Sequence, residues 1–393
     1  MTLKSGHSGD LATSLMLRAF LYFLFFSVSI YLFYQQVFFP KEYWSDIPTH
    51  LSFVRCIVNG DYRVMHLGFH FMVLGLSKLP LMNYEYGALG VLALMSMLTL
   101  YSIEKILSFF LKGRFSRVTI LLFSMAILYV SPIYFPLINS APYLGVWSPN
   151  PWHNPTFLAA RPFTLIAFFL FPYLLRMENI KTRFYLFILG GLLIAFGAFI
   201  KPSFILAFIP AGVLFAFARR KFHWITGVKL FVLFAPVFLL LATQYFWMYG
   251  SAENSKVGFG FLKVWKIYAQ SVPAAIIQAA AFPLVLVLFR PKSLLRSDYL
   301  FLGWLLYLVA LAEFCFCYEA GVRMADANFS WGYMSAIGVL FICSVIEFLQ
   351  WIGEADLSRK LVKIEILVLL SLFSLHLFSG LFYFSKIISR GHI

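Results

Sequence analysis

Charge is what this chain has least of. Only 12% of its 393 residues are Asp, Glu, Lys or Arg, against about 25% in an ordinary soluble domain. With 62% hydrophobic residues and a mean hydropathy of +0.85, that scarcity excludes a soluble globular protein. Long polar runs are missing too. No hydrophilic stretch exceeds roughly 30 residues, so residues 1–393 read as a single transmembrane domain with no separate soluble domain. Cysteine is scarce: the four present show neither disulfide nor zinc spacing. Cys315 and Cys317 form a CxC inside an apolar run and read as small core residues. Acids are scarcer than bases, 16 against 31, for a net charge of +15. Placement excludes a nucleic-acid partner, because the basic residues are scattered through short loops between apolar runs.

What is there is hydrophobic length. A spanning helix needs about 20 mostly apolar residues. Eleven segments qualify as candidates: 18–38, 84–103, 118–138, 157–176, 184–200, 203–218, 226–248, 273–290, 299–317, 331–350 and 364–385. The fold expected is an all-α polytopic membrane protein with about eleven crossings and interfacial helices in its first outer loop. No small-residue cleavage site follows the first apolar run, which therefore reads as an uncleaved span. With the N-terminus in the cytoplasm, nineteen of the 31 Lys and Arg residues fall inside and twelve outside, as the positive-inside rule requires. The outer loops are then 39–83, 139–156, 249–272 and 318–330. "HLGFHFMVLGLSKL" (66–79) is too short to span and reads as an interfacial or re-entrant helix.

This topology gathers the unusual polar residues on the outer side. "SDIPTHLSFVRCIVNGD" has Ile47, Leu51, Val54 and Val58 on one helical stripe and Asp46, His50, Phe53 and Ile57 on the next. It reads as an amphipathic interfacial helix. Asp46 is either its N-cap, with Pro48 in the first turn, or a general base at the membrane surface, or both. "MHLGFHF" places His66 and His70 four apart. A zinc pair is incomplete without a further ligand, so interfacial packing and a polar substrate pocket are the readings left.

"SPIYFPLINSAPYLGVWSPNPWHNPTFLAARPF" (131–163) is stiffened by Pro132, Pro136, Pro142, Pro149, Pro151 and Pro155 and rich in flat aromatic faces. Trp152, His153 and Asn154 suit the apolar face and polar edge of a sugar ring; an ordinary aromatic belt is the plainer alternative. Arg161 follows, at the outer end of a span, as a candidate anion partner. Lys201, before Pro202, is a second cation that otherwise snorkels. "CFCYEAGVRMADANFSWGY" (315–333) supplies Glu319, Arg323, Asp326 and Asn328. Glu319 and Arg323 either pair with each other or serve substrate and phosphate.

The pieces "YWSDIPTH", "MHLGFHFMVLGLSKL", "NYEYGALGVLALMSMLTLYSIEKIL" and "VSPIYFP", within residues 18–138, resemble the GT-C superfamily of polyprenyl-phosphate-sugar-dependent glycosyltransferases. Leu67 and Gly68 stand where the family pattern usually has proline, and one acid, Asp46, stands where several members carry a pair. The resemblance implies Asp46 as catalytic base, with inversion at the sugar. It implies Arg161, Lys201 and Arg323 as partners of the leaving lipid phosphate. His50, His66, His70, Trp152, His153, Asn154, Glu319 and Asn328 are then candidate substrate contacts. The implied donor is a polyprenyl-phosphate-linked sugar, and the acceptor a cell-envelope glycan or glycolipid. The implied place is a bacterial plasma membrane, with the site facing outward. No cofactor or metal is expected, since a lipid monophosphate leaving group does not demand one. An O-antigen or capsule polymerase, and a lipid-glycan flippase or transporter, are the competing expectations.

Overall fold

The computed structural model describes residues 6–62, 66–178, 183–220, 223–249 and 255–390. In chain order the helices are α1 (Gly6–Phe38), α2 (Ile47–Val58), α3 (Gly68–Ser77), α4 (Tyr84–Leu111), α5 (Arg117–Tyr129), α6 (Pro155–Arg176), α7 (Phe184–Ile200), α8 (Ser203–Arg220), α9 (Trp224–Tyr249), α10 (Trp265–Tyr268), α11 (Val272–Phe289), α12 (Pro291–Arg296), α13 (Asp298–Phe316), α14 (Ser330–Glu354) and α15 (Lys360–Arg390). Two short strands, β1 (Ser255–Phe259) and β2 (Cys317–Gly321), pair antiparallel with Val257 opposite Glu319. The protein is a helical, multi-pass membrane protein. Eight described helices are long and apolar enough to cross a membrane: α1, α4, α6, α9, α11, α13, α14 and α15.

The remaining expected spans are also helices: α7 and α8 cover the expected residues, and α5 covers only part of its span. α5 stops at Tyr129, well before the expected 138, because Pro132 drives the preceding backbone out of the helical region. The extended chain that follows stays buried at Val130 and Ser131, so its polar groups need partners. α11 and α15 supply them. The Ser131 N–H donates to the His376 carbonyl (3.1 Å) and the Ile133 N–H to the Gln278 carbonyl (3.1 Å). The Tyr134 N–H donates to the Ser379 hydroxyl (3.0 Å), and His376 Nδ1 bonds the Ser131 carbonyl (2.7 Å).

α7 and α8 are separated at Lys201, whose extended backbone (φ −156, ψ 114) follows from the proline after it. Gly190 and Gly191 let α7 lie close on α9: a β-carbon at Gly191 would sit 3.0 Å from the Val232 carbonyl oxygen.

α6 and α14 are buried along most of their length, whereas α1 and α15 expose large apolar side chains such as Phe23 and Phe378. Their exposed faces suit lipid contact. α2 and α3 are short helices in the segment between α1 and α4, packed on each other and on α4. On α2, Ile47, Leu51 and Val54 are buried as the periodicity requires. Val58 is 56% exposed and Ile57 is buried in its place. The helix ends there, at Asn59, and Gly60 takes a left-handed turn (φ +80).

At one end of the bundle the polar groups are consumed structurally. Arg18 pairs with the buried Glu104 (2.6 Å) and Arg114 with Glu354 (2.7 Å). Arg176 (2.7 Å) and Arg219 (3.4 Å) converge on Asp298. Lys229 closes the C-terminus of α6 by donating to the Leu175 carbonyl (2.9 Å). The opposite end, where α6, α8 and α14 begin, carries the candidate site.

Candidate active site

Asp46 occupies the N-cap position of α2, but its side chain makes no capping bond. The carboxylate turns instead toward the start of α6, where Oδ2 accepts from Asn154 Nδ2 at 2.6 Å. Its backbone is tied to the same place, since the Asp46 N–H donates to the His153 carbonyl (3.0 Å). Asp46 is partly exposed, and no partner is found for Oδ1 among the described residues. A carboxylate fixed through one oxygen and open at the other is suited to take a proton.

Asn154 is the N-cap of α6, with Pro155 in the first helical position. Its Oδ1 accepts from the Phe157 N–H (2.9 Å) and the Thr156 hydroxyl (3.0 Å). Lys201 Nζ donates to the same oxygen and to Thr156 Oγ1, each at 3.2 Å. The ammonium also lies 4.2 Å from the centre of the Trp331 ring, within cation–π range. Burial pushes Lys201 down to about 7; the Asp46 charge pulls the other way, and Arg323 adds to the depression.

Lys201 opens onto a small cavity of about 20 Å³ between α6, α8 and α14, roomy enough for one water. Arg161, two turns into α6, lines the same cavity, together with Thr164, Ser203 and Ser335. Arg161 is 7% exposed and has no carboxylate partner among the described residues. Two cations and several hydroxyls thus face a space with no acidic side chain in its lining. An anion is the chemical complement of that lining.

His153 stands beside Asp46 with its ring in an aromatic box. Its centroid is 4.8 Å from Tyr143 and 5.2 Å from Trp44, and Nδ1 is 3.5 Å from the Tyr383 hydroxyl. Burial lowers its pKa to about 4, although Asp46 favours the charged form. Tyr143 and Tyr383 stack at 5.4 Å. Burial, with the Asp46 charge nearby, raises the Tyr143 phenol.

His50, one turn into α2, faces α3, and its Nδ1 meets His70 Nε2 at 3.0 Å. That spacing is a shared proton rather than a metal bridge. His66 precedes α3 instead of lying on it, with its ring centroid 6.5 Å from those of both His50 and His70. No group of three such ligands is placed to hold a metal among the described residues. Burial is the main reason all three stay neutral: His66 falls to about 3 and His70 to about 4, and His50 also falls well below its ordinary value.

The structure therefore brings Asp46, His153, Asn154 and Lys201 together, with Arg161 across the cavity and the three histidines alongside. Trp152 lies apart. It stacks on Tyr129 at 5.6 Å and packs on Phe384 at 5.1 Å, a core role. Glu319, Arg323 and Asn328 form their own cluster at the end of β2. Arg323 pairs with Asp326 (3.1 Å) and Glu319 (3.6 Å), and Asn328 donates to Glu319 (2.7 Å). Glu319 sits on a strand, so the pairing expected of a helical turn occurs without the helix. Sequence reasoning missed Tyr383, Trp331, Thr164 and Ser335 as neighbours of the site. They lie on spans, where an aromatic or hydroxyl gives no signal against its background.

No family model matches the chain, and no curated protein is significantly similar to it.

Proposed function

We propose that this protein is a GT-C-like glycosyltransferase that moves a sugar from a polyprenyl-phosphate donor to a cell-envelope glycan or glycolipid acceptor. The chain then crosses a bacterial plasma membrane eleven times, with α5 and its extended continuation, α7 and α8 completing the eight longer spans. The N-terminus is cytoplasmic and the Asp46 end faces outward. The observation that carries the reading is the pairing of a proton acceptor with two cations that line one cavity: Asp46 is bridged through Asn154 to Lys201, and Lys201 shares its cavity with Arg161, which has no carboxylate partner among the described residues.

In this mechanism Asp46 Oδ1 takes the proton of an acceptor hydroxyl. The freed oxygen forms a bond to the anomeric carbon while the bond from that carbon to the phosphate oxygen breaks. The lipid phosphate leaves with the electron pair, on the opposite face of the sugar, and the product is inverted. Arg161 and Lys201 meet the charge that grows on the departing phosphate. Preorganised donors of this kind are worth about 10²–10³ in rate each. The neutral His50 and His66 offer hydrogen bonds without adding charge, with His70 buried behind them, and the exposed Trp44 offers a flat face to a sugar ring.

The test is sugar transfer by the purified protein in nanodiscs, supplied in turn with a polyprenyl-monophosphate sugar and a polyprenyl-diphosphate oligosaccharide. Transfer from the monophosphate, abolished in Asp46→Asn, supports the reading. Chain growth from the diphosphate alone replaces it with a polymerase. Movement of the lipid-linked sugar across the bilayer without a new covalent bond replaces it with a flippase.

A further inference from the structure

We infer that Asn154 is a positioning residue that couples the base to the cation, holding Asp46 and Lys201 in register through one side-chain amide. The inference rests on the proposed transferase reading for its catalytic consequence, but not for its geometry. Asn154 is 5% exposed, and its carbonyl oxygen is engaged by three donors: the Phe157 N–H, the Thr156 hydroxyl and the Lys201 ammonium. The amide cannot be flipped. Its nitrogen would then face a backbone N–H and an ammonium, both donors, and the N-terminus of α6 would lose its cap. The cap therefore dictates which way the amide points, and the remaining N–H group is aimed at Asp46 Oδ2 (2.6 Å).

Three parts of the chain distant in sequence meet at this one group: the 39–46 loop, the start of α6 and the break between α7 and α8. Pro155 fixes the backbone on one side and Pro202 on the other. A helix cap alone needs only an acceptor, and Ser, Thr or Asp would supply one. A Ser or Thr hydroxyl also donates, but through the same single oxygen; of the strong capping residues only Asn carries its acceptor and its donor on separate atoms, so that the oxygen can face the helix and Lys201 while the nitrogen reaches the carboxylate. That double duty distinguishes a coupling role from a capping role.

Two substitutions separate the roles. Asn154→Ser keeps a cap but is too short to span Asp46 and Lys201. Asn154→Asp keeps the cap and the Lys201 contact but sets a carboxylate against Asp46. The groups whose charge reaches Lys201 are Asp46, Arg323, His153, His50 and His66, with Arg161 on the shared cavity. None of these is altered in either variant.

The readout is pulsed acetic anhydride labelling of Lys201 across pH, in full-length protein in nanodiscs, quantified by mass spectrometry. The midpoint should fall in Asn154→Ser, which loses an acceptor of the charged form, and rise in Asn154→Asp, which adds an anion. The thermal midpoint should stay near wild type in Asn154→Ser and fall in Asn154→Asp, where two carboxylates face each other in a mostly buried place. Transfer should drop about 10²-fold in kcat in each, as expected when a reacting group is displaced by about 1 Å, and in Asn154→Ser, where Lys201 loses charge near neutrality, the KM for donor should rise as well. If Asn154→Ser does not fold, Asn154→Asp alone decides. A labelling midpoint unmoved in the variants overturns the coupling, as does full transfer by Asn154→Asp. If no donor supports transfer by wild type, the transferase reading fails while the labelling shifts still report the coupling.

Discussion

Asp46→Asn separates catalysis from folding, because the structure assigns the carboxylate no capping bond to lose. The substitution preserves shape. The new carbonyl oxygen can still accept from Asn154 Nδ2, so a charge-assisted bond becomes a neutral one of roughly half the strength. The expected loss of stability is about 0.5–1.5 kcal/mol, and for a chain of this size that lowers the thermal midpoint by no more than a few degrees. The catalytic loss is larger. A general base contributes about 10²–10⁴ in rate, or roughly 3–5 kcal/mol of barrier. A second effect runs in the same direction. Asp46 favours the charged form of Lys201, which burial has already lowered to about 7. Without that anion the ammonium deprotonates more readily near neutrality, so donor binding weakens as well. Initial rates of transfer from a polyprenyl-monophosphate sugar, measured beside thermal unfolding in the same nanodiscs, give both numbers. The expected result is a folded protein with kcat down at least about 100-fold and a raised KM for donor. A folded Asp46→Asn protein with wild-type kcat would refute the base assignment and leave Asp46 a structural residue.

Arg161→Met should reduce transfer by about 10²–10³ while leaving the unfolding midpoint unchanged or higher, because it removes a buried charge that has no carboxylate partner among the described residues; loss of stability instead would mark Arg161 as structural. Acid should weaken the fold between about pH 6.5 and 4: His70 and His153 hold pKa values near 4, so the unfolded chain binds more protons there. Stability present above pH 6.5 is then lost as pH falls, by about 1.4 kcal/mol per pH unit for each histidine; unfolding midpoints that stay flat from pH 7 to 5 contradict this. Gly380→Ala should destabilise the protein by about 1–3 kcal/mol or block its folding, because a β-carbon there overlaps the Tyr129 carbonyl oxygen where α15 crosses the end of α5; a wild-type unfolding midpoint would show that crossing to be loose.

The helices were legible because hydrophobic length is a local property. Every expected span overlies a helix, since an apolar run in lipid has no cheaper way to satisfy its backbone. The place where the expectation fails is instructive. α5 ends near Tyr129 although apolar residues continue to Ile138. Pro132 lies inside the expected span, and the break there is tolerable because His376, Gln278 and Ser379 accept the freed backbone groups. Those partners lie more than a hundred residues away, and no local pattern announces them.

The same distinction governs the site. Residue type and topology were enough to pick out Asp46, His153, Asn154, Arg161 and Lys201, because polar groups stand out in an apolar chain. Their roles were not legible, because a role is set by direction. Asp46 has the sequence position of a cap and does not cap; Asn154 has the look of a sugar ligand and spends its carbonyl on a helix end and an ammonium. Arg323 and Lys201 are both cations near loop ends, yet Arg323 is held by two carboxylates and Lys201 shares its cavity with a second cation. The difference lies in which carboxylates the fold brings near. Asp326 is three residues from Arg323 and follows it wherever it goes. Asp46 reaches Lys201 only because two prolines, Pro155 and Pro202, fix the chain at the start of α6 and at the start of α8. A local acid neutralises a cation in every conformation and leaves it nothing to bind. An acid held off by one amide favours the charged form of Lys201 without covering it, and leaves the ammonium oriented on the edge of a cavity that it shares with Arg161, which is the condition for holding an anion.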